Sequence, residues 1–305
     1  MSSSSSDILV SAPWVHENLG KIKVFDCSWY LPFMGRNTKD EFVNAHIPGS
    51  KFFDIDEIKD QTKLDLPHMV PTPEFFGAAM DRFGVGAGDH VVVYDSAGVG
   101  PACRVYWTFQ AMGHPAGKVS VLNGGMPEWA RCGFPTESGA SASPSQPADP
   151  HKYRARPVAG AVCDYTHIVG VIERLKTSGG ADGAQIVDAR PAGRFTGKEP
   201  EFRPGLPSGH MPWARNVPFT EVTAPAAAAD PQVLKMKSPE AIRRLFTDAG
   251  VDLARPIITT CGSGVTASVL YVALLTAGVP KDNLTVYDGS WTEYALNPHS
   301  EIAVD

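Results

Sequence analysis

Cys261 heads the run Cys261-Gly262-Ser263-Gly264-Val265-Thr266-Ala267. The stretch Pro256-Ile257-Ile258-Thr259-Thr260 precedes it, and the apolar run Ser268 to Leu275 follows. This spacing predicts a strand, a tight loop and a helix, with the thiol in the loop. The thiolate is the nucleophile, and a free cysteine has a reference pKa of about 8.5, so a site that uses sulfur near neutral pH must favour the anion. Gly262 and Gly264 let the loop curl until successive backbone N–H groups point inward. Such a nest, backed by a helix N-terminus, holds anions. The chemistry implied is attack by sulfur with a covalent intermediate. The plainer alternative is a cysteine packed as a small hydrophobe; the strand before it and the Gly-x-Gly after it favour the reactive reading.

The elements that position this loop occur twice. Lys23-Val24-Phe25-Asp26 resembles Gln185-Ile186-Val187-Asp188, and Ala45-His46-Ile47-Pro48-Gly49-Ser50 resembles Gly209-His210-Met211-Pro212-Trp213-Ala214. Val91 through Val99 resembles Pro256 through Val265, and Val121-Leu122-Asn123-Gly124-Gly125 resembles Val286-Tyr287-Asp288-Gly289. Asp26 and Asp188, His46 and His210, and Asp95 and Cys261 lie 162, 164 and 166 residues apart. A period this long marks duplication of a whole domain rather than a solenoid. In each half short β-branched stretches alternate with helical ones, as in 91–94 then 102–112, and 257–260 then 267–277. The expected fold class is α/β: two domains, each a parallel sheet flanked by helices. The boundaries read as 8–138 for the first domain, 139–160 for a Pro/Ser/Ala-rich linker and 161–305 for the second. A similar stretch from Ala224 to Pro231 reads as a surface loop. Asp95 occupies the position of Cys261, so the first copy lacks the thiol and only the second can do sulfur chemistry here.

Composition sets outer bounds. The 305 residues suffice for two ordinary domains, and the net charge of −6 argues against a nucleic-acid partner. No apolar run reaches membrane-span length, and the serine-rich start carries neither a basic region nor an apolar core. A cytoplasmic location is therefore expected, with a mitochondrial form from another start site left open. The five cysteines are few, dispersed and form no C-x-x-C pair, which fits a reducing compartment and no zinc site.

The tandem organisation with the cysteine in the second copy resembles the tandem rhodanese-domain sulfurtransferases. The resemblance runs from about Val10 to Pro298 and includes Phe52-Phe53-Asp54-Ile55-Asp56, Leu66-Pro67-His68-Met69, Asp188-Ala189-Arg190-Pro191 and Tyr287 through Glu293. The Cys-Gly-Ser-Gly-Val-Thr loop is similar to that of members acting on 3-mercaptopyruvate. Members acting on thiosulfate carry basic residues directly after the cysteine, where this chain has Gly262 and Ser263. The resemblance implies that Arg194 and Arg203 hold the oxo-acid end of 3-mercaptopyruvate, a planar group suited to a guanidinium fork. It implies that Cys261 becomes a persulfide cradled by the loop from Gly262 through Gly264 and Val265 to Thr266. It offers Ser263, His68 and Asp56 as a serine–histidine–aspartate arrangement, with a surface histidine and a loop-capping aspartate as the plainer readings.

The activity so implied moves sulfur from 3-mercaptopyruvate to a thiol acceptor such as thioredoxin or a small dithiol, or to cyanide. It needs no metal or organic cofactor. Rival readings keep the fold but change the chemistry: one is thiosulfate:cyanide sulfurtransfer, the other a persulfide carrier or regulatory module without turnover. A C-x5-R phosphatase is disfavoured because Ala267 stands where its arginine would be. His46 and His210 read as turn braces, Asp188 and Arg190 as an ion pair at a strand end, and Cys27, Cys103, Cys132 and Cys163 as core or incidental thiols. Trp213 stands where glycine is usual after the proline, which suggests a change in local packing.

Overall fold

The computed structural model describes residues 8–63, 65–140, 153–181 and 183–305. The chain divides into two compact units, each with its own sheet. The first comprises residues up to Gln61, Val70–Val158 and Pro225–Met236; the second comprises Thr62–Met69, Ala159–Ala224 and Lys237–Asp305.

The first unit contains β1 (Leu9–Val10), α1 (Ala12–Asn18), β2 (Lys23–Asp26), α2 (Thr38–Asn44), β3 (Lys51–Phe52), α3 (Pro73–Phe83), β4 (Val91–Tyr94), α4 (Pro101–Ala111), β5 (Val119–Leu122) and α5 (Gly125–Arg131). Its sheet runs β1-β5-β4-β2-β3, with parallel pairing throughout. A strand buried on both faces has no need of alternation, and Val91-Val92-Val93-Tyr94 is apolar and buried throughout. Thr72 caps α3 through its hydroxyl, which accepts from the Phe75 amide at 3.3 Å, and Pro73 opens the helix where no partner for its nitrogen is needed. Phe25 meets Phe53 edge-on at 6.0 Å and Phe83 at 5.0 Å, and Phe76 meets Phe109 at 5.2 Å, which joins sheet and helices through ring contacts.

The second unit contains β6 (Val162–Cys163), α6 (Tyr165–Thr177), β7 (Gln185–Asp188), α7 (Ala192–Phe195) and β8 (Arg215–Asn216). After the hairpin strands β9 (Thr223–Ala227) and β10 (Asp230–Met236) come α8 (Pro239–Asp248), β11 (Ile257–Thr260), α9 (Val265–Thr276), β12 (Leu284–Tyr287) and α10 (Ser290–Leu296). Its sheet runs β6-β12-β11-β7-β8, again parallel. The order repeats that of the first unit, with β11 central as β4 is. Helix α9 is apolar nearly all round and buries nine residues, from Val265 to Leu274, so it is a core helix rather than an amphipathic surface one. Each large apolar side chain so buried contributes roughly 1.5–3 kcal/mol before the entropy of ordering is subtracted.

Two parts of the chain differ from the sequence expectation. The stretch from Ala224 to Pro231 is not a loop: it contributes to a two-stranded hairpin, and Pro225–Met236 belongs to the first unit. Lys235 Nζ donates to Glu128 Oε1 at 2.7 Å, and the Met236 amide donates to Asn123 Oδ1 at 2.9 Å. The expected linker 139–160 lies partly outside the described residues, and its far end is not a free linker. Tyr153 is buried and stacks on His114 at 5.8 Å, while the Arg156 and Val158 amides donate to the Met112 and Ala111 carbonyls. This segment therefore completes the first unit.

The duplicated histidines do the same work in both units. His46 Nδ1 bonds the Phe42 carbonyl at 2.7 Å and stacks on Phe42, and His210 Nδ1 bonds the Phe195 carbonyl at 2.9 Å and stacks on Phe195. They brace the turns. Gly49 has φ +72 and the matching Trp213 has φ +68, so the tryptophan occupies a left-handed position suited to glycine.

Candidate active site

Cys261 follows the C-terminal end of central strand β11, the end of a parallel sheet at which ligands bind. Its loop is held from one side. The Trp291 amide donates to the Cys261 carbonyl at 2.9 Å, and the Thr292 amide and hydroxyl donate to the Gly262 carbonyl at 3.0 and 2.7 Å. The Cys261 amide donates to Ser290 Oγ at 3.2 Å, and that hydroxyl in turn donates to the Tyr287 carbonyl. In a trans peptide the carbonyl and the following N–H point in opposite directions. With the Cys261 and Gly262 carbonyls turned toward α10, the Gly262 and Ser263 N–H groups point away from it. Gly264 then adopts φ +81 and caps α9 without a side-chain bond, so the first amides of the helix, beginning at Val265 and Thr266, take no capping side chain.

The matching loop of the first unit shows what such a turn accommodates. Asp95, at the cysteine position, accepts from the Ala97 amide through Oδ1 and from the Gly100 and Ala102 amides through Oδ2, each at 2.9 Å. Burial pushes its carboxyl up, and the backbone bonds act against that. A carboxylate thus fills the first nest from within, whereas the second carries a cysteine.

The arginines lie beside the cysteine loop. Arg203 Nη1 sits 3.3 Å from the point where a Cβ on Gly262 would be, so this guanidinium packs directly on the loop and a side chain at 262 would press on it. Arg194 Nη1 is 3.3 Å from Glu201 Oε2, and Arg190 Nη1 is 2.7 Å from Glu201 Oε1. Arg190 also pairs with Asp188 at 2.6 Å, donates to the Gly209 carbonyl at 2.8 Å, and lies over the Trp291 ring at 4.2 Å. Asp188, Arg190 and Glu201 have side chains only 1% exposed, whereas that of Arg194 is 17% exposed. The arrangement is graded: a buried ion-paired base of Asp188, Arg190 and Glu201 supports a partly open arginine. Arg194 and Arg203 are therefore not solvated surface residues.

Ser263 is buried within the loop, and so is Cys261. The sequence places His68 in the first domain, but its segment Thr62–Met69 clusters with the second unit, where His68 is buried at φ +59. Asp56 belongs to the first unit and is exposed, and its Oδ2 accepts from Trp29 Nε1 at 2.7 Å. Ser263 and His68 thus share a unit that Asp56 does not. All five cysteines are unbridged. Burial raises the thiol pKa of Cys27, Cys103, Cys132 and Cys163, which disfavours their reactive forms. Among the described residues no His/Cys/Asp/Glu group is placed to hold a metal ion.

Sequence reading alone does not single out Ser290, Thr292, Glu201 or Phe202. Ser290 and Thr292 hold the cysteine loop by bonds that span 29 and 30 residues. Their signal is the Gly289-Ser290-Trp291-Thr292 stretch, the start of a helix directly after a strand.

The family model described as "Rhodanese-like domain" matches residues 11–132 and 172–297. The 3-mercaptopyruvate sulfurtransferase of Homo sapiens is 41% identical over 301 residues, covering 96% of this chain and 93% of that protein. The Arabidopsis thaliana protein named thiosulfate/3-mercaptopyruvate sulfurtransferase 1, mitochondrial, is 38% identical over 306 residues, covering 97% of this chain and 78% of that protein. The crystal structure of SseA from Escherichia coli, described among 3-mercaptopyruvate sulfotransferases, superimposes with a TM-score of 0.77 at 36% identity, covering 93% of this chain and 98% of that one. With two matched segments, a repeated sheet order and relatives spanning nearly its whole length, the chain belongs to the rhodanese-like family and carries two such domains in tandem.

Proposed function

We propose that the chain is a sulfurtransferase that takes sulfur from 3-mercaptopyruvate onto Cys261 and passes it to a thiol. The observation that carries this reading is the Arg203 guanidinium packed on Gly262, next to the cysteine, with Arg194 on the same segment. A 2-oxo acid offers planar oxygens to such groups, and holding that end aims the sulfur at the thiolate.

In this mechanism Arg194 and Arg203 grip the carboxylate and oxo oxygens of the donor. The Cys261 thiolate attacks the donor sulfur; an S–S bond forms as the C–S bond breaks. The electron pair of that bond goes to carbon as the enolate of pyruvate, which takes up one proton. The persulfide stays on Cys261, its charge met by the N–H groups of the loop from Gly262 to Thr266. An acceptor thiolate, from thioredoxin or a small dithiol, then attacks the outer sulfur and regenerates the Cys261 thiolate. Cyanide taking the same sulfur leaves as thiocyanate. In this reading Ser263, within the loop, contacts the donor or relays a proton, and His68 of the same unit is its proposed partner. The cycle is ping-pong and uses no cofactor. Among the described residues no helix is long and apolar enough to cross a membrane; a cytosolic site of action is the matching proposal.

A second reading, thiosulfate as donor, is favoured by the double name of the Arabidopsis relative. It would use the same cysteine. The deciding experiment is steady-state release of pyruvate and sulfide from 3-mercaptopyruvate with a dithiol, with thiosulfate plus cyanide in parallel. A preference of about tenfold or more for mercaptopyruvate, about 1.4 kcal/mol in the transition state, supports the arginine-clamp reading. The reverse preference keeps Cys261 and overturns the donor.

A further inference from the structure

Arg194 and Arg203 share one aromatic neighbour. The Arg194 Cζ lies over the Phe202 ring at 4.9 Å from its centroid, and the Arg203 Cζ lies over the same ring at 4.7 Å. Both distances are inside the range in which a ring's negative face attracts a cation. Phe202 is half-buried, in the segment that runs directly from Glu201 to Arg203. We propose that Phe202 is a positioning residue of the arginine clamp, holding both guanidiniums over its ring and thereby setting the affinity for the oxo-acid end of the donor. This role rests on the sulfurtransferase function proposed above.

A ring can do here what a carboxylate cannot. Two guanidiniums drawn to one small site repel each other, and something must offset that repulsion. A carboxylate between them would take the N–H edges that the donor's own oxygens need and would cancel the attracting charge. An aromatic ring engages the flat face of a guanidinium rather than its in-plane N–H groups. The edges are then set separately: Arg194 through Nη1 to Glu201, and Arg203 with Nη1 against Gly262. A guanidinium has five N–H donors, so restraint at one nitrogen does not exhaust its capacity for an anion. Lowering the number of side-chain states that must be frozen on binding raises affinity without a new contact to the ligand.

The test compares wild type, Phe202→Leu, Phe202→Tyr, Arg194→Ala and Arg203→Ala in steady-state assays with 3-mercaptopyruvate and a dithiol. Phe202→Leu keeps an apolar group but removes the π face. It is expected to raise the KM for mercaptopyruvate about tenfold with kcat within about twofold. Phe202→Tyr retains the face and is expected to stay within about twofold of wild type on both constants. Should the leucine variant melt early, Phe202→Met, closer in length, repeats the comparison. An unchanged KM in Phe202→Leu, a fall in kcat as large as the rise in KM, or a tyrosine variant that behaves like leucine would each overturn the inference. The arginine variants separate the two levels of the proposal. If neither changes mercaptopyruvate kinetics, the clamp reading itself fails; if both do and Phe202→Leu does not, only the role of Phe202 fails.

Discussion

Asp95 Oδ2 accepts the Gly100 amide at 2.9 Å, in the loop that corresponds to the one carrying Cys261. The strand–loop–helix turn of this fold therefore turns its backbone N–H groups onto an acceptor side chain in the copy that has no thiol. That supports reading the second loop as a cradle for sulfur that carries charge during turnover.

Cys261→Ser is expected to reduce sulfur transfer to background with every donor while leaving the thermal midpoint within about 2 °C. A hydroxyl fits the buried site but forms no persulfide. Turnover that survives the change, measured as pyruvate release, would remove Cys261 from the mechanism.

Arg194→Ala is expected to lower kcat/KM for 3-mercaptopyruvate by at least about tenfold while changing thiosulfate use far less. One well-formed bond between a charged donor and a carboxylate is worth about 1.5–3 kcal/mol, which spans that factor. The ratio of the two donors' rate constants, in wild type and variant, is the readout.

Arg190→Ala would leave Asp188 and Glu201 buried without their shared cation. Breaking such an arrangement costs about 3–5 kcal/mol, or roughly 10 °C in thermal midpoint for a unit of this size. Arg190→Lys should not recover the loss, because one ammonium cannot serve Asp188, Glu201 and the Gly209 carbonyl in the same plane. Circular dichroism melts of both variants check this.

Glu128 gives a pH signature. Bonds from Arg131 at 2.7 Å and Lys235 at 2.7 Å pull its carboxyl down to about 2. A depressed carboxyl stabilises the fold above the ordinary pKa of 4.5, and that share is lost as pH falls from about 4.5 toward 2. Arg131 and Lys235 are partly exposed, so solvent screening limits the share to about 2 kcal/mol. Glu128→Gln should therefore melt below wild type at pH 7, with the gap closing as the buffer is taken to pH 3. A gap that stays constant would show that the pairing contributes nothing.

Trp213→Gly is expected to stabilise the second unit. A left-handed backbone costs a non-glycine residue about 1–2 kcal/mol. The lost ring is 44% exposed and lies against Gly180. A net gain of about 1 kcal/mol, or about 2 °C in midpoint, is expected, with activity unchanged. A fall of that size would mean that the cover over Gly180 outweighs the strain.

Much of this was legible in the sequence because it is local. Val91–Tyr94 and Ile257–Thr260 are strands, as their β-branched runs require, and the glycine-bearing loop after Thr260 leads into a helix. The repeat exposed the paired histidine braces and the substitution of Asp95 for cysteine. What escaped was long-range. Thr223–Ala227 is rich in alanine, a poor strand former, and the hairpin it opens is held by Glu128 and Asn123, whose bonds to it span 107 and 113 residues. The Phe202 ring that both arginines contact left no periodic trace, since that contact depends on side-chain direction within an irregular segment. That His68 joins the unit of Ser263 while Asp56 does not is likewise carried by no local pattern.

The traded segments change what the repeat means. Pro225–Met236 lies in the second half of the sequence and folds with the first unit, while Thr62–Met69 lies in the first half and folds with the second. A chain cut between its sequence halves would give two pieces, each missing a stretch held by the other. The duplication copied an architecture, but the copies have since become mutual dependents: inheritance runs in halves, and folding does not.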